Sequence, residues 1–96
     1  MSYQLTNFSG AVEAVIDDNC GISKFHNIVH IMLQELKVKF LAKEDDSDTV
    51  DWHFKYKGRP LTLHYNIYNG VSVFTQHSKN NSAVNEVAKY LESKTF

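Results

Sequence analysis

Ninety-six residues carry ten Lys and Arg against eleven Asp and Glu, a net charge of -1, and that balance gives no electrostatic pull toward DNA, RNA or anionic lipid. The length fits one small domain, residues 1–96, that buries ~60–65% of its surface on folding, and 43% hydrophobic with 12% aromatic residues argues against disorder. Cys20 is the sole cysteine, which excludes an internal disulfide and a Cys-based zinc site. The opening "MSYQLTNFSG" has no basic region followed by an apolar run, and no stretch of ~18 apolar residues follows, so neither a signal peptide nor a membrane span is read. A soluble cytoplasmic protein is the expectation.

Residues 11–16, "AVEAVI", fit either a short helix begun by Ser9 or a strand closed by the turn "DDNCG"; the strand is preferred for its β-branched residues. "SKFHNIVHIMLQELK" is a helix, with Ser23 able to cap its free N–H groups and Phe25, Val29, Met32, Leu33 and Leu36 forming one apolar stripe. It should stop near Lys37. In "VKFLA", Val38, Phe40 and Ala42 alternate as a strand does, and "KEDDSD" reads as a loop between strands.

Val50, Trp52, Phe54 and Tyr56 then share one strand face, while Asp51, His53, Lys55 and Lys57 share the other. Beyond a two-residue turn at Gly58-Arg59, Leu61, Leu63, Tyr65 and Ile67 continue the apolar set. Thr62, His64, Asn66 and Tyr68 continue the polar one. That turn pairs Lys57 with Pro60, Trp52 with Tyr65 and His53 with His64. At "YNG", a type I′ turn would put Val71 and Val73 on the polar side. A three-residue loop with Gly70 at a bulge buries them and is preferred. The strand runs to about His77. "NSAVNEVAKYLESK" closes the chain as a helix capped by Asn81 or Ser82, with Val84, Val87, Ala88 and Leu91 as its stripe. The predicted architecture is α+β: a two-layer sandwich of order (β)-α-β-β-β-β-α, its antiparallel four-stranded meander (five with residues 11–16) carrying both helices on one face.

Two histidine pairs are candidates for chemistry. His26 and His30 stand four apart on the first helix, so both imidazoles could reach one metal. The Glu that follows the first His of a zincin motif is replaced by Asn27, and the plainer reading is the polar flank of an amphipathic helix. In the predicted register His53 and His64 are cross-strand neighbours with Cβ atoms ~5 Å apart, and Lys55 and Tyr68 share their face. Those four residues are the candidate binding set; a solvated or partner-covered sheet face is the competing reading. Cys20 precedes a helix, where a thiolate is stabilised, but Asp17 and Asp18 beside it oppose ionisation. No nucleophile elbow or Gly-rich phosphate loop occurs, and no catalytic residue or cofactor is read. Helix–meander–helix is also the topology of the double-stranded RNA-binding domain. "HSKNNSAVNEVAKYL" offers only Lys79 before its helix, and there is one strand too many, so no nucleic-acid partner is expected.

From Ile22 to Leu91, a helix followed by "LKVKFLAKEDDSDTVDWHFKYKGRPLTLHYNIYNGVSVF" resembles a family of small bacterial proteins of unknown function. The matching features are an Asp before an x-Trp strand, an aromatic-x-aromatic-x-Gly turn and "LTLHYNIYNGVSVF". Where that family usually has an acidic residue after Leu-x-x-Tyr and a Trp in the last strand, Asn66 and Phe74 stand here. The resemblance implies the fold and no activity. The expected function is a non-catalytic protein-interaction module: an adaptor, an inhibitor or immunity-like protein, or a homodimer joined by its sheet face or last strand edge. The alternative is a small-molecule or metal-binding protein that uses the face of His53 and His64.

Overall fold

The computed structural model describes residues 3–6 (as backbone), 10–17, 21–68 and 70–93. Among these residues six strands form one antiparallel sheet: β1 (Tyr3–Thr6), β2 (Val12–Asp17), β3 (Lys39–Asp45), β4 (Thr49–Tyr56), β5 (Arg59–Asn66) and β6 (Gly70–Phe74), in the spatial order β1-β2-β6-β5-β4-β3. Two helices, α1 (Ile22–Ile31) and α2 (Asn81–Glu92), complete the α+β sandwich. "AVEAVI" is therefore a strand. β1 is an addition that "YQLT" does not announce, being only four residues long. β6, the last strand in sequence, lies between β2 and β5, so it offers no edge for a partner strand. The two edge strands are β1 and β3; on β3, Lys39, Lys43, Glu44 and Asp45 and the bulge at Leu41 oppose strand addition.

The core lies between the helices and one sheet face. Phe54, Leu61, Leu63, Val71 and Val73 meet Phe25, Ile28 and Met32 of the first helical segment and Val84, Val87 and Leu91 of α2. Burial of each such side chain contributes ~1.5–3 kcal/mol. α1 starts one residue before the predicted cap: Gly21 occupies the N-cap and Ser23 makes no capping bond. Ile28 joins the buried stripe, whereas Leu33, about 100° round the helix from Met32, is 45% exposed. A π-helical turn, Met32–Leu36, ends at Lys37 in the left-handed region (φ 59°), where the sequence places the stop.

Two hairpins set the registers. Lys57 (φ 52°) and Gly58 (φ 78°) are both left-handed, the requirement of a type I′ turn, so the turn is Lys57-Gly58 and not Gly58-Arg59. Arg59 becomes the first residue of β5. There its guanidinium donates to the Lys79 carbonyl at 2.9 Å and to the Asn80 amide oxygen at 3.2 Å. At the second hairpin Tyr65 faces Val71 and Leu63 faces Val73, both valines are fully buried, and Gly70 has φ 79°, as the three-residue loop requires. Asn69, Cys20 and Ser9 lie outside the described residues. β6 stops at Phe74, short of the predicted His77, and a 3₁₀ turn (Ser78–Asn80) leads into α2. Asn81 makes no cap there. Its side chain accepts from the Val12 N–H and donates to the Gly10 carbonyl, both at 2.9 Å, and so ties α2 to the start of β2.

Candidate functional site

The helices cover only one side of the sheet. On the other side the register builds two cross-strand rows. One runs Ala42, His53, Thr62, Phe74 and Glu13; the next runs Glu44, Asp51, His64, Ser72 and Val15. Lys55 extends the face beyond His53, opposite Lys39 and Pro60.

His53 faces Thr62, and His64 faces Asp51. The predicted direct opposition of the two histidines is thus replaced by a diagonal relation. Moving the turn by one residue moves each cross-strand partner by two, which preserves the faces and changes every pair. The same face therefore carries His53, Lys55 and His64, as the alternation predicts. Tyr68 leaves it: it lies in the β5–β6 loop, 74% exposed.

Each histidine is held by an acid. His53 Nε2 lies against the Glu44 carboxylate and its Nδ1 against the Thr62 hydroxyl at 2.8 Å. A carboxylate only accepts, so Nε2–H donates to Glu44, and Nδ1 pairs with the Thr62 hydroxyl, accepting from it when the ring is neutral. His64 Nδ1 donates to Asp51 in the same way, and its ring stands edge-on to Phe74 at 6.1 Å. Ser72 donates to Glu13 at 2.6 Å. Side chains from five strands thus form three hydrogen-bonded groups side by side on this face.

Glu44 was legible only as a loop residue. β3 continues through it to Asp45, and the bulge at Leu41 reverses the alternation: Phe40 faces Phe54, but Ala42 faces His53. The bulge puts Glu44 on the histidine face and Lys43 over the Trp52 ring at 4.3 Å. Leu41, 63% exposed, joins His53, Pro60, Thr62, Gln76 and His77 around a cleft of about 230 Å³.

The series Glu44–His53–Thr62 has the order of an acid–imidazole–hydroxyl relay. Thr62 is 6% exposed and sits in mid-strand. Its strand is laddered on both sides, so its neighbouring N–H groups pair with adjacent strands and do not converge on an oxyanion position. With both ring nitrogens occupied, His53 has no lone pair to give a metal without breaking a bond. His64 keeps Nε2 uncommitted. Among the described residues no group of three or more His, Cys, Asp or Glu is placed to hold a metal ion. His26 and His30 are both exposed on α1, and the His26 ring lies 6.1 Å from Trp52.

The profile of the family described as "Protein of unknown function (DUF3630)" matches residues 5–95. The chain belongs to that family, and the match extends the resemblance of Ile22 to Leu91 to nearly the whole sequence. Comparison with curated proteins and with solved structures gave no match. No helix among the described residues is long and apolar enough to cross a membrane.

Proposed function

We propose that this chain is a non-catalytic protein-interaction module whose docking surface is the helix-free sheet face. The observation that carries this reading is the set of hydrogen-bonded groups Glu44–His53–Thr62, Asp51–His64 and Glu13–Ser72. A merely solvated face has mobile side chains, and ordering one on binding costs ~0.5–1.5 kcal/mol. Here the order already exists before a partner arrives. Leu41 beside these groups adds the exposed apolar contact on which interfaces centre.

The test is quantitative co-purification of the tagged wild type against H53E/H64E, with circular dichroism to verify that both are folded. The wild type should retain a stoichiometric partner, either a different protein or an untagged copy of the same chain, and the double variant should lose it. Equal retention by both, or no stoichiometric partner for either, would sink the reading.

The cleft of about 230 Å³ between Leu41, His53 and His77 favours a second reading, small-molecule binding at the same face. Metal binding through His53 and His64 would require His53 to release Glu44 or Thr62. Stoichiometric zinc by elemental analysis, lost in H53A/H64A, would replace the interaction reading with that one.

A further inference from the structure

The helix-free face carries two cross-strand pairs of like charge. Lys39 stands directly opposite Lys55, and Glu44 directly opposite Asp51. Directly opposed like charges destabilise a sheet, and opposite charges there would each contribute ~0.2–1 kcal/mol. Exchanging one lysine with one carboxylate would create two internal ion pairs, yet on this face the β3–β4 hairpin holds Lys39 and Lys55 at one end and Glu44 and Asp51 at the other. Neither Lys39 nor Lys55 has a salt-bridge partner among the described residues. Glu44 and Asp51 each use one oxygen on a histidine and keep the second uncommitted. Between the two pairs lie Ala42 and His53.

This pattern is self-complementary. A two-fold axis lying in the plane between two stacked faces, crossing the hairpin at Ala42 and His53, reverses the strand direction of the second copy. Lys39 and Lys55 of one protomer then lie over Glu44 and Asp51 of the other, and the symmetry repeats the contact. The small Ala42 side chain leaves room at the axis, and the exposed Leu41 lies beside it. We propose that the occupant of the helix-free face is a second copy of this chain, seated about that axis. The proposal rests on the interaction reading above and names its partner.

Sedimentation equilibrium tests it with two charge-reversed chains, K39E/K55E and E44K/D51K. The wild type should dimerise, with a dissociation constant that rises with salt. Each variant alone should dimerise at least ~100-fold more weakly, because like-charge juxtaposition across an interface costs several kcal/mol. Their equimolar mixture should restore dimers, now heterodimers. If Asp51→Lys unfolds the chain by removing the His64 partner, E44K alone replaces the second variant and should restore part of the association. A wild type that stays monomeric to its solubility limit overturns the proposal. So does a dimer indifferent to both reversals, or a mixture of folded variants that does not associate. If the dimer fails while H53E/H64E still abolishes capture of a different protein, only the self-partner inference falls. If that capture is also unaffected, the interaction reading falls with it.

Discussion

Phe54 and His53 are adjacent on one strand yet belong to two differently built surfaces. Phe54 is 1% exposed and packs with Phe40 and Leu61 beneath the helices. His53 lies on the bare face, fixed by Glu44 and Thr62. The covered face is held by apolar area, which depends only on which side of the sheet a residue points to. The bare face is held by specific pairs, which depend on the residue directly across. Phe54→Ala should therefore be the most damaging change, costing ~3–5 kcal/mol in urea unfolding, while His53→Ala should cost about 1 kcal/mol or less. Comparable losses would mean that the bare face contributes to folding as the core does.

That contrast also explains how much was legible beforehand. The alternation Trp52, Phe54, Tyr56 and Leu61, Leu63, Tyr65 assigns the core correctly in the predicted and the observed registers alike, because the two differ by an even number of positions. The partners of His53 and His64 are legible only if the turn is known to the residue. Lys57 in the left-handed region is a non-glycine exception that composition does not flag. Glu44 was hidden for a related reason: one extra residue at Leu41 reverses the phase of β3, and no Gly or Pro marks the bulge. The bonds of Asn81 to Gly10 and Val12 join segments about seventy residues apart, beyond the reach of local pattern.

The next largest effect tests a polar exception within the covered side. Asn80 is fully buried, accepts from Arg59 and donates to Thr75 at 3.3 Å. Asn80→Ala removes both bonds, leaving Arg59 the Lys79 carbonyl and Thr75 its His77 partner, and should cost ~0.5–1.5 kcal/mol. Arg59→Met removes the donor and should cost less than Asn80→Ala, since Arg59 is exposed and the Asn80 amide keeps Thr75. The reverse order, read from denaturant midpoints, would shift the anchor of the β4–β5 turn from Asn80 to Arg59.

On the bare face the expected changes are smaller and of both signs. His64→Ala removes a partly exposed pair with Asp51 and should cost no more than ~1 kcal/mol. Lys39→Glu should stabilise the protomer by ~0.2–1 kcal/mol, because a like-charge pair with Lys55 becomes an opposite one. The same change should weaken self-association, so stability and dimerisation should move in opposite directions when unfolding is measured below the dimer range. A destabilised protomer would show that Lys39 and Lys55 do not repel in the folded chain and would remove the premise of the dimer geometry.

The smallest effect belongs to a charge pair off both faces. Lys57 in the turn donates to Glu86 of α2 at 3.1 Å. That hydrogen bond and the Glu86 charge raise the Lys57 pKa above the ordinary lysine value of 10.5. A raised folded-state pKa contributes stability that is fully present below 10.5 and is lost as pH rises through the folded value. The pair is open to solvent, so the contribution is slight. Melting temperatures of the wild type and Glu86→Gln should differ by a small constant amount from neutral pH to about 10, then converge in more alkaline solution. A difference that persists there would place the role of Glu86 in helix packing rather than in its charge. It would leave Lys57-Gly58 held by backbone geometry alone, the feature on which every pair of the bare face depends.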